Sequence, residues 1–206
     1  MKSIRRFTLV ELLAVIALIS VLSVIGFGVY SYAKGKAQET ATEALLKQID
    51  AGLEGFHTKN GYYPKSKSTG SGASEKSDFS TITFEFNDNG TIKSIDFGGE
   101  KLTRNASSSN KKERMENERV DSFTKTVDME ALKGHLDSNG VLTDAWGGKI
   151  YYRPPGQFKT GSYDLVSAGP DGAFGKNSAT DPSGITDLLI FREAAGERVC
   201  DDIFTF

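Results

Sequence analysis

Cysteine is almost absent. Cys200 is the only one in 206 residues, so no internal disulfide can form and an exported domain must hold together without one. Histidine is nearly as scarce. His57 falls at a helix end, where it can meet the dipole, and His135 falls in a polar helical turn. Neither has a Ser or Cys partner in its sequence context, and Cys200 has no nucleophile motif, so the chain does not read as an enzyme. Proline is low, 5 residues against 22 glycines, which suggests a turn-rich but ordered chain. An excess of one charge is missing too. The net charge of −2 gives no reason to expect nucleic acid, and the basic cluster Lys111-Lys112-Glu113-Arg114 is interleaved with acid, as in a solvated loop.

What the chain does have is one long apolar run. Residues 1–6 carry Lys2, Arg5 and Arg6, and residues 7–32 then run without a charge except Glu11. A helix rises about 1.5 Å per residue, so this run reaches roughly 39 Å, longer than a bilayer core of about 30 Å. The basic flank predicts a single pass with the N-terminus in the cytoplasm and the rest exported. A cleaved secretory signal would have a shorter apolar core and a small-residue site after it, and Tyr32-Ala33-Lys34-Gly35-Lys36 is a poor one. A twin-arginine signal would match Ser3-Ile4-Arg5-Arg6 only loosely. A plain anchor explains everything except Glu11. A carboxylate at the bilayer centre costs about 2.5–3.5 kcal/mol, so it either snorkels to the interface or has a partner.

Beyond the run, Ala33, Ala37, Ala41, Leu45, Ile49, Leu53 and Phe56 recur every three or four residues among Lys, Glu and Gln. This spacing predicts one long helix over residues 7–59, amphipathic in its second half, with Gly55 and Gly61-Tyr62-Tyr63-Pro64 as stop signals. Gly26 and Gly28 each cost roughly 1 kcal/mol against Ala inside it, as a packing surface or a weak point. Residues 65–80 read as a loop. Ile82 to Phe97 reads as a hairpin around Asn87-Asp88-Asn89-Gly90. Residues 103–122 read as a mobile polar loop, and residues 128–136 as a short helix with Met129, Leu132 and Leu136 on one face. Strands are expected at 149–153 and 163–167, with Trp146 packed between helix and sheet. The fold class is therefore α+β, a long helix on a small antiparallel sheet with a loop-rich C-terminal region.

The string Arg5-Arg6-Phe7-Thr8-Leu9-Val10-Glu11-Leu12-Leu13-Ala14-Val15 resembles the leader and helix start of type IV pilins and type II secretion pseudopilins. A second segment, Asp144-Ala145-Trp146-Gly147-Gly148-Lys149-Ile150-Tyr151-Tyr152, is similar to the D-x-W-G-x-x-Y segment of the major pseudopilin. Tyr163-Asp164-Leu165-Val166-Ser167-Ala168-Gly169-Pro170-Asp171-Gly172 is similar to that family's last strand and following loop. The two resemblances cover residues 7–64 and 142–191, and the insert at about 65–140 is without a family counterpart. The resemblance implies a leader at 1–6, an assembly helix at 7–32, its exported half at 33–60 and a globular pilin domain at 61–206.

It further implies that a prepilin peptidase cuts between Arg6 and Phe7, that Phe7 is then methylated, and that Glu11 pairs with the new N-terminal amine. The buried ammonium would supply the counter-charge that Glu11 needs. Arg6 stands where the family usually has Gly. Subunits would polymerise into a homo-oligomeric filament on an inner-membrane assembly platform, with the globular domain periplasmic or in an extracellular filament. In the family, the loop after the last strand binds Ca²⁺. Asp171 takes the place of the first aspartate and Asp187 of the second, with Asp181 as the alternative. As plain residues, Asp171-Gly172 and Asp181-Pro182 also suit ordinary turns. The implied role is structural, in a type II secretion pseudopilus. A type IV pilus subunit and a non-polymerising membrane-anchored binding protein are the alternatives.

Overall fold

The computed structural model describes residues 8–69, 76–107, 109–156, 161–172, 174 and 203–204, with the backbone alone at 24–28, 76 and 203–204. The chain divides into two units, Met1–Gln38 and Glu39–Phe206. One helix, α1 (Leu9–Asn60), contributes to both.

In the first unit α1 displays apolar side chains all round. Leu9, Val10, Leu12, Leu13, Ile16 and Ile19 are among those exposed. The hydroxyls of Ser20 and Ser23 donate back to the carbonyls of Ile16 and Ile19, both at 2.8 Å, so these polar groups are satisfied within the helix. Among the described residues no helix is long and apolar enough to cross a membrane. The expected span of residues 7–32 lies partly outside them, since it begins before Thr8 and includes the side chains of 24–28. The α1 backbone is continuous through Gly26 and Gly28.

In the second unit the 3.6-residue pattern is realised as a buried stripe. Thr42, Leu45, Leu46, Ile49, Leu53 and Phe56 are all buried. The helix does not stop at Gly55. It ends at Asn60, where Gly61 adopts φ +78° and its N–H returns to the His57 carbonyl at 2.7 Å, a left-handed cap that glycine takes without strain. Gly52 and Gly55 serve packing instead. A Cβ on Gly52 would sit 2.8 Å from Val127 Cγ2, and one on Gly55 would sit 2.8 Å from the Ser122 carbonyl oxygen.

Among the described residues the second unit contains three antiparallel sheets. β1 (Ser68–Thr69) pairs with β2 (Lys76–Ser77), giving a small ribbon within the expected loop. β4 (Thr83–Phe86), β5 (Ile92–Asp96) and β6 (Lys101–Thr103) form a three-stranded sheet in that order. The β4–β5 hairpin turns through Asn87–Gly90 as its sequence predicts, with Gly90 N–H on the Asn87 carbonyl at 2.8 Å. A four-stranded sheet runs in the order β3 (Ser80–Thr81), β7 (Ile150–Arg153), β8 (Asp164–Ser167), β9 (Ile203–Phe204). Both strands expected at 149–153 and 163–167 are present. The side chains of β8 are buried throughout.

The expected mobile loop at 103–122 is instead largely helical. α2 (Lys111–Thr124) begins at Asn110, whose side chain accepts from Glu113 N–H, while Glu113 accepts from the Ser109 N–H and hydroxyl at 3.0 Å. This reciprocal cap starts the helix despite its charge. Only Val120 and Phe123 of α2 are buried, and both are fully so. α3 (Met129–Lys133) follows, capped by Asp128, with Leu132 buried as the pattern predicts. Trp146 is partly buried against the core. Phe123→Ala should therefore cost about 3–5 kcal/mol in urea unfolding. Exposed Met115→Ala on the same helix should cost no more than about 0.5 kcal/mol.

Candidate functional site

The site residues named from the sequence are not gathered in one place. Arg6 and Phe7 lie outside the described residues. Glu11 Oε2 accepts from the Thr8 N–H and the Thr8 hydroxyl, both at 2.8 Å, and the Thr8 hydroxyl accepts from Glu11 N–H at 3.2 Å. Thr8-Leu9-Val10-Glu11 is thus a capping box at the first turn of α1. This is a local reason for a carboxylate at that position, readable in the T-x-x-E spacing and independent of any N-terminal amine.

Asp171 ends a 3-10 turn, Gly169–Asp171, immediately after β8, and Gly172 follows in the left-handed region at φ +70°. Asp181 and Asp187 lie outside the described residues. Calcium takes six to eight oxygens. The described residues contain no group of three or more His, Cys, Asp or Glu able to hold a metal ion.

The chemistry that the structure does assemble is the Asp144 turn. Asp144 is buried, and its Oδ1 accepts from Trp146 N–H at 2.9 Å and from Gly148 N–H at 2.8 Å. Its Oδ2 accepts from the Ser167 hydroxyl on β8 at 2.6 Å. Ser167 Oγ in turn accepts from Gly169 N–H at 3.1 Å, and so holds the start of the loop that carries Asp171. On the other side, Ala145 N–H donates to Thr42 Oγ1 of α1 at 3.1 Å. The D-x-W-G spacing thus has a physical cause. Gly147 turns at φ +87°, and a Cβ on Gly148 would sit 2.8 Å from Asp144 Oδ2. Asp144 was legible only as part of a resemblance. Its role as the post joining turn, strand and helix needed three dimensions.

Two further polar arrangements stabilise the second unit. Arg153 of β7 pairs with Asp164 of β8 at 2.7 Å, both buried, with the guanidinium 4.0 Å over the Phe79 ring. Partnered in this way, the buried charges are compensated. Tyr63 donates to Glu54 at 2.9 Å, Tyr163 to Asp50, and Tyr152 to the Pro64 carbonyl at 2.8 Å. Burial raises the ionisation of Tyr152 and Tyr163 well above the usual phenol range, and at Tyr163 the Asp50 carboxylate adds to it. His57 stacks on Tyr63 with centroids 4.3 Å apart. The His135 carbonyl accepts from the Thr143 N–H and hydroxyl.

In the second unit α1 thus lies against short antiparallel sheets, with the Asp144 turn joining helix and strand. Residues 116–182 match the family described as type II secretion system, protein G, and this match supports placing the chain in the pseudopilin family. The match begins within the stretch read as an insert without a counterpart, so α2 from Glu116 onward, α3 and the Asp144 turn fall inside the family region. No curated protein and no solved structure matches the chain.

If Asp144 is the joining post, Asp144→Ala should cost about 3 kcal/mol, because it strands two part-buried N–H donors and the buried Ser167 hydroxyl. Ser167→Ala should cost about 1–2 kcal/mol. The double variant should lose little more than Asp144→Ala alone in a urea double-mutant cycle, whereas additive losses would contradict the relay.

Proposed function

We propose that this protein is a structural subunit of a type II secretion pseudopilus. It is anchored in the bacterial inner membrane by a single pass through the first part of α1. Its globular unit is periplasmic, and it polymerises through that helix to support protein export. The observation that carries this reading is the combination of the family match over residues 116–182 with the unpartnered apolar surface of α1 from Leu9 onward. A monomeric soluble protein rarely displays so continuous an apolar surface, and lipid or neighbouring helices would cover it. Within lipid, helix association comes from close packing and satisfied polar groups. Outside it, burial of apolar faces takes over.

In this reading a prepilin peptidase cuts before Phe7. The new ammonium then competes with the Thr8 cap for the Glu11 carboxylate, in its own or a neighbouring subunit, and the assembly platform adds subunits one by one. Gly26 and Gly28 supply the place where α1 yields in the filament. Mass spectrometry of the mature chain should find N-methyl-Phe7. An intact Met1 start, with Arg6 retained, would point instead to a static membrane-anchored binding protein. Glu11→Ala should leave the globular unit folded and remove assembly into sedimentable filaments.

Calcium belongs to the same proposal, with Asp171 as one ligand and Asp187 or Asp181 as another. Ion binding to the folded state alone would stabilise it by about 2.7 kcal/mol at a hundredfold excess over the dissociation constant. The full chain in detergent should therefore melt several degrees higher in calcium than in EDTA, and Asp171→Ala should abolish the difference. Identical melting in both would remove calcium from the account.

A further inference from the structure

The chain contains three Asn-Gly pairs, at 60–61, 89–90 and 139–140. An asparagine can lose its amide when the nitrogen of the next residue attacks its side-chain carbonyl. Glycine obstructs this attack least, because it has no Cβ and turns most freely. The three pairs are alike in sequence. In each, the glycine N–H is also held by a backbone carbonyl, that of His57, Asn87 and Asp137 respectively. What surrounds each asparagine differs.

Asn60 is tied to the last turn of α1, where its Nδ2 donates to the Phe56 carbonyl at 2.8 Å and to the Ser122 hydroxyl at 3.2 Å. Asn139 is exposed, but its pair is clamped. Asp137 Oδ1 accepts from the N–H groups of Asn139 and Val141 at 2.8 and 2.9 Å, and the Gly140 carbonyl accepts from Phe84 N–H at 2.8 Å. A Cβ on Gly140 would sit 2.2 Å from the Phe84 carbonyl oxygen, so the Gly140 backbone cannot swing toward Asn139 without breaking its bridge to β4.

Asn89 is placed for the attack. Asn89, Gly90 and Thr91 are all exposed at the tip of the β4–β5 hairpin. Asn89 Oδ1 accepts from Thr91 N–H at 3.1 Å and from the Thr91 hydroxyl at 2.7 Å. That hydroxyl itself accepts from Asn87 Nδ2 at 3.0 Å, which leaves its proton for Asn89. Gly90 lies between the two bonded residues, so the reach of Oδ1 to Thr91 folds the side-chain carbonyl back toward the Gly90 nitrogen. Two donors on a carbonyl oxygen also stabilise the negative charge that the oxygen gains when its carbon is attacked.

We propose that Asn89 is a site of self-catalysed deamidation, with Thr91 as the donor to the developing oxyanion and water as the co-substrate. The Gly90 nitrogen loses its proton to solvent and bonds to Asn89 Cγ. The bond from Cγ to Nδ2 breaks, and that nitrogen leaves as ammonia with a proton taken from solvent. The product is a succinimide ring, which water opens at one of its two carbonyls. Water is taken up, ammonia is released, and nothing is oxidised or reduced. Opening at Cγ gives aspartate, which can still accept from Thr91. Opening at the backbone carbonyl gives isoaspartate, which lengthens the turn by one backbone carbon and disturbs the pairing of Phe86 with Ile92. The site lies within the second unit and does not depend on the pseudopilus reading.

The test is to age the full chain in detergent, in mildly alkaline buffer at physiological temperature, and to map its peptides by mass spectrometry. Asn89 should convert about tenfold or more faster than Asn60 and Asn139, with aspartate and isoaspartate both formed. In urea the three pairs should convert at similar rates, because local sequence alone then decides. Thr91→Val removes the hydroxyl from an exposed position and should slow Asn89 by about tenfold in the folded chain, with little effect in urea. Thr91→Ser keeps the hydroxyl and should keep the rate. If Thr91→Val loses the hairpin, the order of the three sites in the unaltered chain still decides. Earlier conversion at Asn60 or Asn139 would overturn the proposal, as would a folded Thr91→Val chain that ages as fast as the original.

Discussion

The burial of one face of α1 is the constraint on which the second unit rests. Its strands are two to five residues long, too short to stand as isolated ribbons in water, and such sheets need an apolar face to pack on. Thr42, Leu45, Leu46, Ile49, Leu53 and Phe56 provide it. Hydrophobic burial is non-directional, so the docking angle must come from groups that are. Thr42 receives the Asp144 turn, Asp50 and Glu54 receive tyrosine hydroxyls from Tyr163 and Tyr63, and Gly52 and Gly55 let residues 122–127 approach closely. Apolar area supplies the stability, and a few hydrogen bonds with two missing Cβ atoms supply the register.

The same helix carries two kinds of surface. From Glu39 on, its apolar side is covered by sheets and by α2. Before that, its apolar side chains are displayed on every side. An amphipathic pattern over one stretch and a uniform one over the other is the contrast that the proposed anchoring would use.

Much of the architecture was legible in the sequence wherever periodicity met a strong boundary signal. The Asn87–Gly90 hairpin, β7 and β8, the short helix α3 and the buried stripe of α1 all belong to this group. α2 was missed because its anchors are only Val120 and Phe123, on a helix of otherwise charged residues. Composition outweighed the cap signal of Asn110 and Glu113. Gly55 was taken for a stop because a glycine that ends a helix and one that admits a neighbour look alike until the neighbour is seen. Of the candidate site, the Thr8–Glu11 spacing was visible, but Glu11 was read only as a charge that must snorkel or pair, when a capping box needs nothing beyond the helix itself. The Asp144 relay spans Thr42 to Gly169, and no local pattern reports contacts at that separation.

β9 gives the four-stranded sheet an order of completion. Ile203 and Phe204 pair with Ser167 and Val166, so the strand that covers the β8 edge is made later than the other strands of that sheet. A polypeptide that emerges N-terminus first must keep the β8 edge open until those two residues follow, although β7 and β8 are already available to pair. A nascent chain that stalls before Ile203 would therefore carry its helix and core together with a raw sheet edge, a sticky species rather than an unfolded one.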